Sequence, residues 1–154
     1  MVRHPHVHFA GSLDHRRIGT ALRALHCLVM PSIWYETYGL VIQEAFAAGL
    51  PVVAGGLGAL PEAVEDGVNG RLFTAGDPDD LARILRELID DPQQLARLAQ
   101  NTRPGPDINA HGKLLVGVYQ SLVDGVPVDR IVEEIRDATG AGPDRRAVLS
   151  TGRT

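Results

Sequence analysis

The stretch that most restricts the fold is "CLVMPSIWYETYGLVIQEAFAAGLPVVA", residues 27–54. It opens on a continuous apolar run, CLVM, stopped by Pro31, and closes on another, PVVA. Apolar runs without polar alternation are expected of strands covered on both faces, as in a parallel sheet. Between them, 39–48 has the composition of a helix, with Gly49 as its C-terminal stop and Pro51 just beyond. Strand, helix and strand in this order predict a βα unit and a parallel sheet, hence an α/β fold.

The rest of the chain extends the pattern. "VHFAG" (7–11) reads as a short strand closed by Gly11, and 14–25 as a helix with Ile18, Leu22 and Leu25 on one face. A glycine-rich loop (55–58) leads to a short helix with Pro61 in its first turn. "DGVNG" (66–70) makes a turn, which Asp66 is expected to serve, and "RLF" (71–73) a strand. Asp77 caps a helix with Pro78 at its first position and a stripe of Leu81, Ile84, Leu85 and Leu88. Asp91, Pro92 and Gln94 open another. "RPGPD" (103–107) reads as a linker. Leu114, Leu115, Val118, Tyr119 and Leu122 mark a further helix, and beyond Gly125 the signal fades to one weak helix and a tail expected to be disordered. Residues 1–124 are therefore read as one partial domain and 125–154 as an appendage.

Composition excludes several roles. With 154 residues, 44% hydrophobic, the chain can bury a core. A net charge of −4, with no basic run, argues against nucleic acid as a partner. One cysteine, Cys27, allows no intrachain disulfide and suits a reducing, cytoplasmic setting; its place at the start of a buried strand suggests core packing. No apolar run reaches the ~20 residues of a membrane span. His4, His6 and His8 alternate as metal ligands sometimes do, but no carboxylate or cysteine accompanies them, and no metal is expected.

Chemistry concentrates around Glu36 and Glu44, which have seven residues between them. The loops "WYETYG" and "GGLGA" both follow strands, on the edge of the sheet where ligands bind in such folds. Gly39 opens the helix, and a helix N-terminus offers unpaired N–H groups and positive partial charge to a phosphate. Glu44, about five residues in and so roughly 7 Å along the axis, cannot bind that phosphate, because like charges repel, but could accept from ribose hydroxyls a sugar ring away. Glu36, before the helix, could accept from a second sugar. A phosphate between two sugar-holding carboxylates describes a nucleotide-diphosphate sugar. The alternative reading is a solvated Glu44 paired with an arginine, although the helix is apolar almost all round.

"PSIWYETYGLVIQEAFAAGLPVVA" resembles the donor-binding signature of the family 4 (group 1) glycosyltransferases. "VHFAG" and "LPEAVEDGVNGRLF" resemble the family's flanking segments, so the likeness covers roughly 7–123 in order. It implies the C-terminal half of a GT-B fold: here a partial Rossmann-like parallel sheet of about four strands, with helices on both faces. It implies transfer of a hexosyl unit from a nucleotide-diphosphate sugar, with retention, without a metal or other cofactor. Glu36 would touch the transferred sugar as the catalytic carboxylate, Glu44 the ribose, and Gly39 and Leu40 the diphosphate through their amides, with Tyr38 and Gly58 also at the donor. The family's second glycine before its Pro-Glu falls on Ala59, a departure. Gly11 to Leu13 fall where the family often meets the base. Trp34 and Tyr35 are candidates for the sugar site or for loop packing.

By the same resemblance the sheet order would be 3-2-1-4-5-6, and sequence for two central strands, the acceptor-binding N-terminal domain and the Arg and Lys that neutralise the leaving diphosphate is not found. Arg16 and Arg17 are substitutes by charge only. Either the strand at 27–30 pairs with 7–10, or it keeps an unpaired apolar edge, which invites association. The expectation is a donor-binding half, not competent alone, whose acceptor domain is supplied elsewhere or missing. Contact with a membrane surface is expected only through that domain. A non-catalytic nucleotide-sugar module, or an inactive gene remnant, are the alternatives.

Overall fold

The computed structural model describes residues 5–105 and 107–139. They fall into two compact units that divide after Gly105, inside the expected linker. The limit read at 124 and 125 from the fading sequence signal falls within the second unit.

The first unit is built on β1 (Leu28–Met30), β2 (Val52–Gly55) and β3 (Gly70–Phe73), all parallel and in that spatial order. Val29 lies opposite Val53, and Val53 opposite Arg71. The helices are α1 (Ile18–Leu22), preceded by a 3-10 turn at His15–Arg17, α2 (Leu40–Ala47), α3 (Leu60–Ala63), α4 (Pro78–Asp90) and α5 (Pro92–Gln100). β2 is buried throughout, and its alternation sorts two cores. Val52 and Ala54 join Leu22, Ile42, Phe46 and Leu60 on one face. Val53 joins Phe73, Ile84, Leu88 and Leu98 on the other. Both faces of the sheet are thus covered by helices, and each fully buried Val or Ile contributes about 1.5–3 kcal/mol relative to exposure.

Among the described residues the sheet has three strands, not about four. The strand expected at 7–10 does not form, and Val7 and Phe9 are exposed. A strand exists by exchanging hydrogen bonds with a neighbour. In the order the resemblance implies, two strands would stand between 7–10 and β1, and no described strand takes their place. Among the described residues β1 pairs with β2 alone, so its other edge is unpaired. The helix expected at 14–25 is shorter: Asp14 accepts from the Arg16 N–H to start the 3-10 turn, and the α-helical part stops at Leu22.

The capping signals give the elements the sequence predicts. Asp77 accepts from the amides of Asp79 and Asp80, and Asp91 from those of Gln93 and Gln94. Asp66 does close the turn before β3, accepting from the Leu72 N–H at 2.8 Å and from Arg71 Nε at 3.0 Å. Cys27 is partly buried against the second core, and that burial pushes its thiol pKa up. The second unit is a pair of packed helices, α6 (Ile108–Val123), capped by Asp107, and α7 (Val128–Thr139). Among the described residues no helix is long and apolar enough to cross a membrane.

Candidate functional site

Two loops meet at the carboxyl ends of β1 and β2. After β1, Pro31 ends the strand and the chain turns at Ser32, whose Oγ accepts from the Trp34 N–H at 3.4 Å and donates to Glu36 Oε1 at 3.1 Å. After β2, the loop passes Gly58, held at φ +62°. A Cβ there would lie 2.8 Å from the Glu36 carbonyl oxygen and 2.9 Å from the Glu36 nitrogen. The next amide, of Ala59, donates to that same carbonyl at 2.9 Å. Glu36 is therefore fixed twice: its backbone by the second loop, its carboxylate by Ser32.

Gly39 is the N-cap of α2 with φ +67° and ψ +56°, a left-handed conformation that a side chain opposes. It is buried against Ile42 and Leu60. Among the described residues no side chain caps α2. Leu40, 70% exposed, shows that the helix begins at the surface. The helix keeps Ile42, Ala45 and Phe46 in the core, which turns the partly exposed Glu44 towards α1. There Glu44 lines a cleft of about 200 Å³ together with His15, Gly19, Arg23, Ala47 and Ala48.

The sequence candidates are placed as follows. Glu36 and Gly58 touch through the backbone, with Gly39 at the start of α2 and Glu44 further along the same helix. Tyr38 is exposed in the loop between them. Trp34 and Tyr35, at 75% and 79% exposure, take no part in the core. Residues 11–13 are exposed and precede the 3-10 turn. Arg16 and Arg17 are exposed and do not line the Glu44 cleft. His4 lies outside the described residues, and among these no group of three His, Cys, Asp or Glu is arranged to hold a metal. The reading of the sequence missed Ser32 as the partner of Glu36, and His15 and Arg23 as neighbours of Glu44. Ser32 was legible in principle, four residues before Glu36; the other two needed the packing of α1 on α2.

The family of group 1 glycosyl transferases matches residues 4–104, about two thirds of the chain. The chain belongs to this family. It is 44% identical over 94 residues to a D-inositol 3-phosphate glycosyltransferase of Streptomyces avermitilis, covering 61% of this chain and 20% of the relative. Anabaena HepE, solved in complex with UDP-glucose, is 40% identical with a TM-score of 0.53 over 55% of this chain and 23% of that one. Sucrose-phosphate synthase of Thermosynechococcus elongatus superposes more fully, with a TM-score of 0.67, 29% identity and 77% and 30% coverage. This group 1 glycosyl transferase chain spans about a fifth of the length of the curated relatives it matches. The matched span contains both glutamates, Gly39 and Gly58.

Proposed function

We propose that this chain is the donor-binding part of a retaining glycosyltransferase and holds a nucleoside-diphosphate sugar along α2. The observation that carries the reading is the left-handed Gly39 at an uncapped helix start, with the pinned Glu36 before it and Glu44 further along. The first amides of α2 meet the diphosphate and the helix dipole offsets its charge. Glu36 accepts from hydroxyls of the transferred sugar, and Glu44 from those of the ribose. Tyr38 borders the diphosphate, and Gly58 admits the Glu36 loop. The binding of UDP and UDP-glucose by HepE supports a uridine donor. Helix amides and dipole stand where other transferases use a divalent ion, so no metal or other cofactor is required. The acceptor site belongs to the part of the relatives that this chain does not span.

Calorimetry with UDP-glucose tests the reading. A charged acceptor contributes about 1.5–3 kcal/mol, so Glu44→Gln should weaken binding about ten-fold or more. Excess EDTA should leave the affinity unchanged. Equal affinities for the two proteins, or loss of binding in EDTA restored by manganese, would refute it.

A further inference from the structure

Aromatic residues make up 5% of the chain, yet they gather at one place. All its Trp and Tyr residues except Tyr119 lie in the loop around Glu36. Ile33, Trp34 and Tyr35 are three consecutive exposed apolar side chains, and such a patch marks a contact surface. The backbone beneath them is fixed. The Trp34 N–H donates to Ser32 Oγ at 3.4 Å, and a Cβ on Gly58 would stand 3.1 Å from Tyr35 Cα. Rings carried on a fixed backbone lose little conformational entropy when a ligand covers them.

Two observations select the ligand. The first is the carboxylate next to the rings. Glu36 Oε1 accepts from Ser32, and Oε2 has no hydrogen-bond partner among the described residues. A hydroxylated ligand would donate to it, whereas an apolar protein face would leave it buried and unpaired. The second is charge. No Lys or Arg occurs between Arg23 and Arg71, so neither loop at this edge supplies a cation for a phosphate or an anionic lipid surface. These conditions describe a neutral molecule with hydroxyls at its edge and an apolar face. A sugar or cyclitol ring has both: its C–H face packs on an aromatic ring while its hydroxyls reach a carboxylate. An open-chain polyol has no such face.

We infer that Trp34 and Tyr35 form a stacking platform for an uncharged, polyhydroxylated ring of the acceptor. This rests on the donor-binding reading above. With the diphosphate at Gly39 and the transferred sugar at Glu36, the two aromatics precede Glu36, on the side away from α2 along the chain. The body of the acceptor site lies in the part of the relatives that this chain does not span, and the platform meets the acceptor ring at that site's border.

Trp34 is the chain's one tryptophan, so its fluorescence reports on the platform alone. The full chain is saturated with UDP-glucose, which fills the sugar position, and titrated with methyl α-glucoside, with sorbitol as the open-chain control, and with phosphatidylglycerol vesicles. The glucoside should shift Trp34 emission to shorter wavelength, saturably, with a Kd of about 1–10 mM. Sorbitol and vesicles should leave it unchanged. Tyr35→Ala, its fold checked by circular dichroism, should weaken the glucoside about three-fold or more, and Tyr35→Phe should not. Calorimetry should show UDP-glucose binding both variants as it binds the parent. A silent Trp34 in a chain that binds UDP-glucose overturns this inference and leaves the donor reading intact. So does an equal response to sorbitol, or a response to vesicles alone. A glucoside response confined to the chain without UDP-glucose, or UDP-glucose weakened by Tyr35→Ala, places the rings at the transferred sugar and overturns it too. A chain that does not bind UDP-glucose overturns the donor reading and the acceptor role with it.

Discussion

Gly58 lies against the backbone of Glu36, so close that a Cβ would come within 2.8 Å of the Glu36 carbonyl oxygen. This contact joins the loop after β2 to the loop after β1, and Ala59 seals it with a hydrogen bond to the same oxygen. A glycine assigned to the donor by resemblance thus also has an architectural role, setting the position of a carboxylate.

Gly58→Ala should therefore both destabilise the fold and displace Glu36. The left-handed conformation costs a non-glycine residue about 1–2 kcal/mol, and the clash with backbone adds to it. Gly56→Ala is the control: its Cβ would meet only the Phe73 carbonyl, at 3.5 Å, an ordinary contact. Urea unfolding should show a loss of about 2 kcal/mol or more for position 58 and little for 56. Equal midpoints would show that the two loops are not coupled.

Gly70, the first residue of β3, is held more tightly still. A Cβ there would overlap the Val52 carbonyl oxygen and stand 2.7 Å from Val64 Cγ1. Both neighbours belong to the buried core, so neither can yield cheaply. Gly70→Ala should cost about 3 kcal/mol and separate β3 from β2. A thermal transition unchanged from that of the parent chain would contradict the packing described.

How much of this was legible in the sequence follows from what each element depends on. β1, α2 and β2 were readable because their cues are local: unbroken apolar runs, Gly49 and Pro51 as punctuation. The helices at Asp77 and Asp91 were readable because a cap and a proline act within one turn. The strand at 7–10 was misread because a strand is a property of a pair. "VHFAG" has the composition of one, but no described strand pairs with it. Both glutamates were found from their motif. The contact of Gly58 with Glu36 arises from two loops meeting at one edge of the sheet, and the cleft that Glu44 shares with Arg23 from two helices packing on one face; no local pattern encodes either.

The acid limb of stability should depend on Asp80. Its carboxylate accepts from the Thr74 N–H at 2.8 Å, tying the end of β3 to α4, and pairs with Arg83. The Thr74 amide first, and Arg83 second, hold its pKa at about 2, below the usual 3.8. Because the folded value is depressed, the stabilisation is complete above pH 3.8 and disappears as pH falls through about 2. Asp80→Asn should be less stable at neutral pH and lose less on acidification. Urea midpoints at pH 7, 4 and 2 for both proteins check this, and parallel losses would remove Asp80 as a cause.

Ser32 offers a way to separate the sugar from the nucleotide. Its hydroxyl donates to Glu36 Oε1 at 3.1 Å and accepts from the Trp34 N–H, both in the loop before α2. Ser32→Ala frees the Glu36 carboxylate to rotate while leaving Gly39 and Glu44 in place. A hydrogen bond of this kind is worth about 1 kcal/mol, close to a five-fold change in affinity. If Glu36 holds the transferred sugar, Ser32→Ala should weaken UDP-glucose by about that factor and leave UDP unchanged, because UDP lacks the group Glu36 would contact. Parallel calorimetric titrations of the two ligands read the difference directly. Equal weakening of both would place Glu36 on the nucleotide instead, and no weakening of either would mean that Ser32 does not orient it in the bound state.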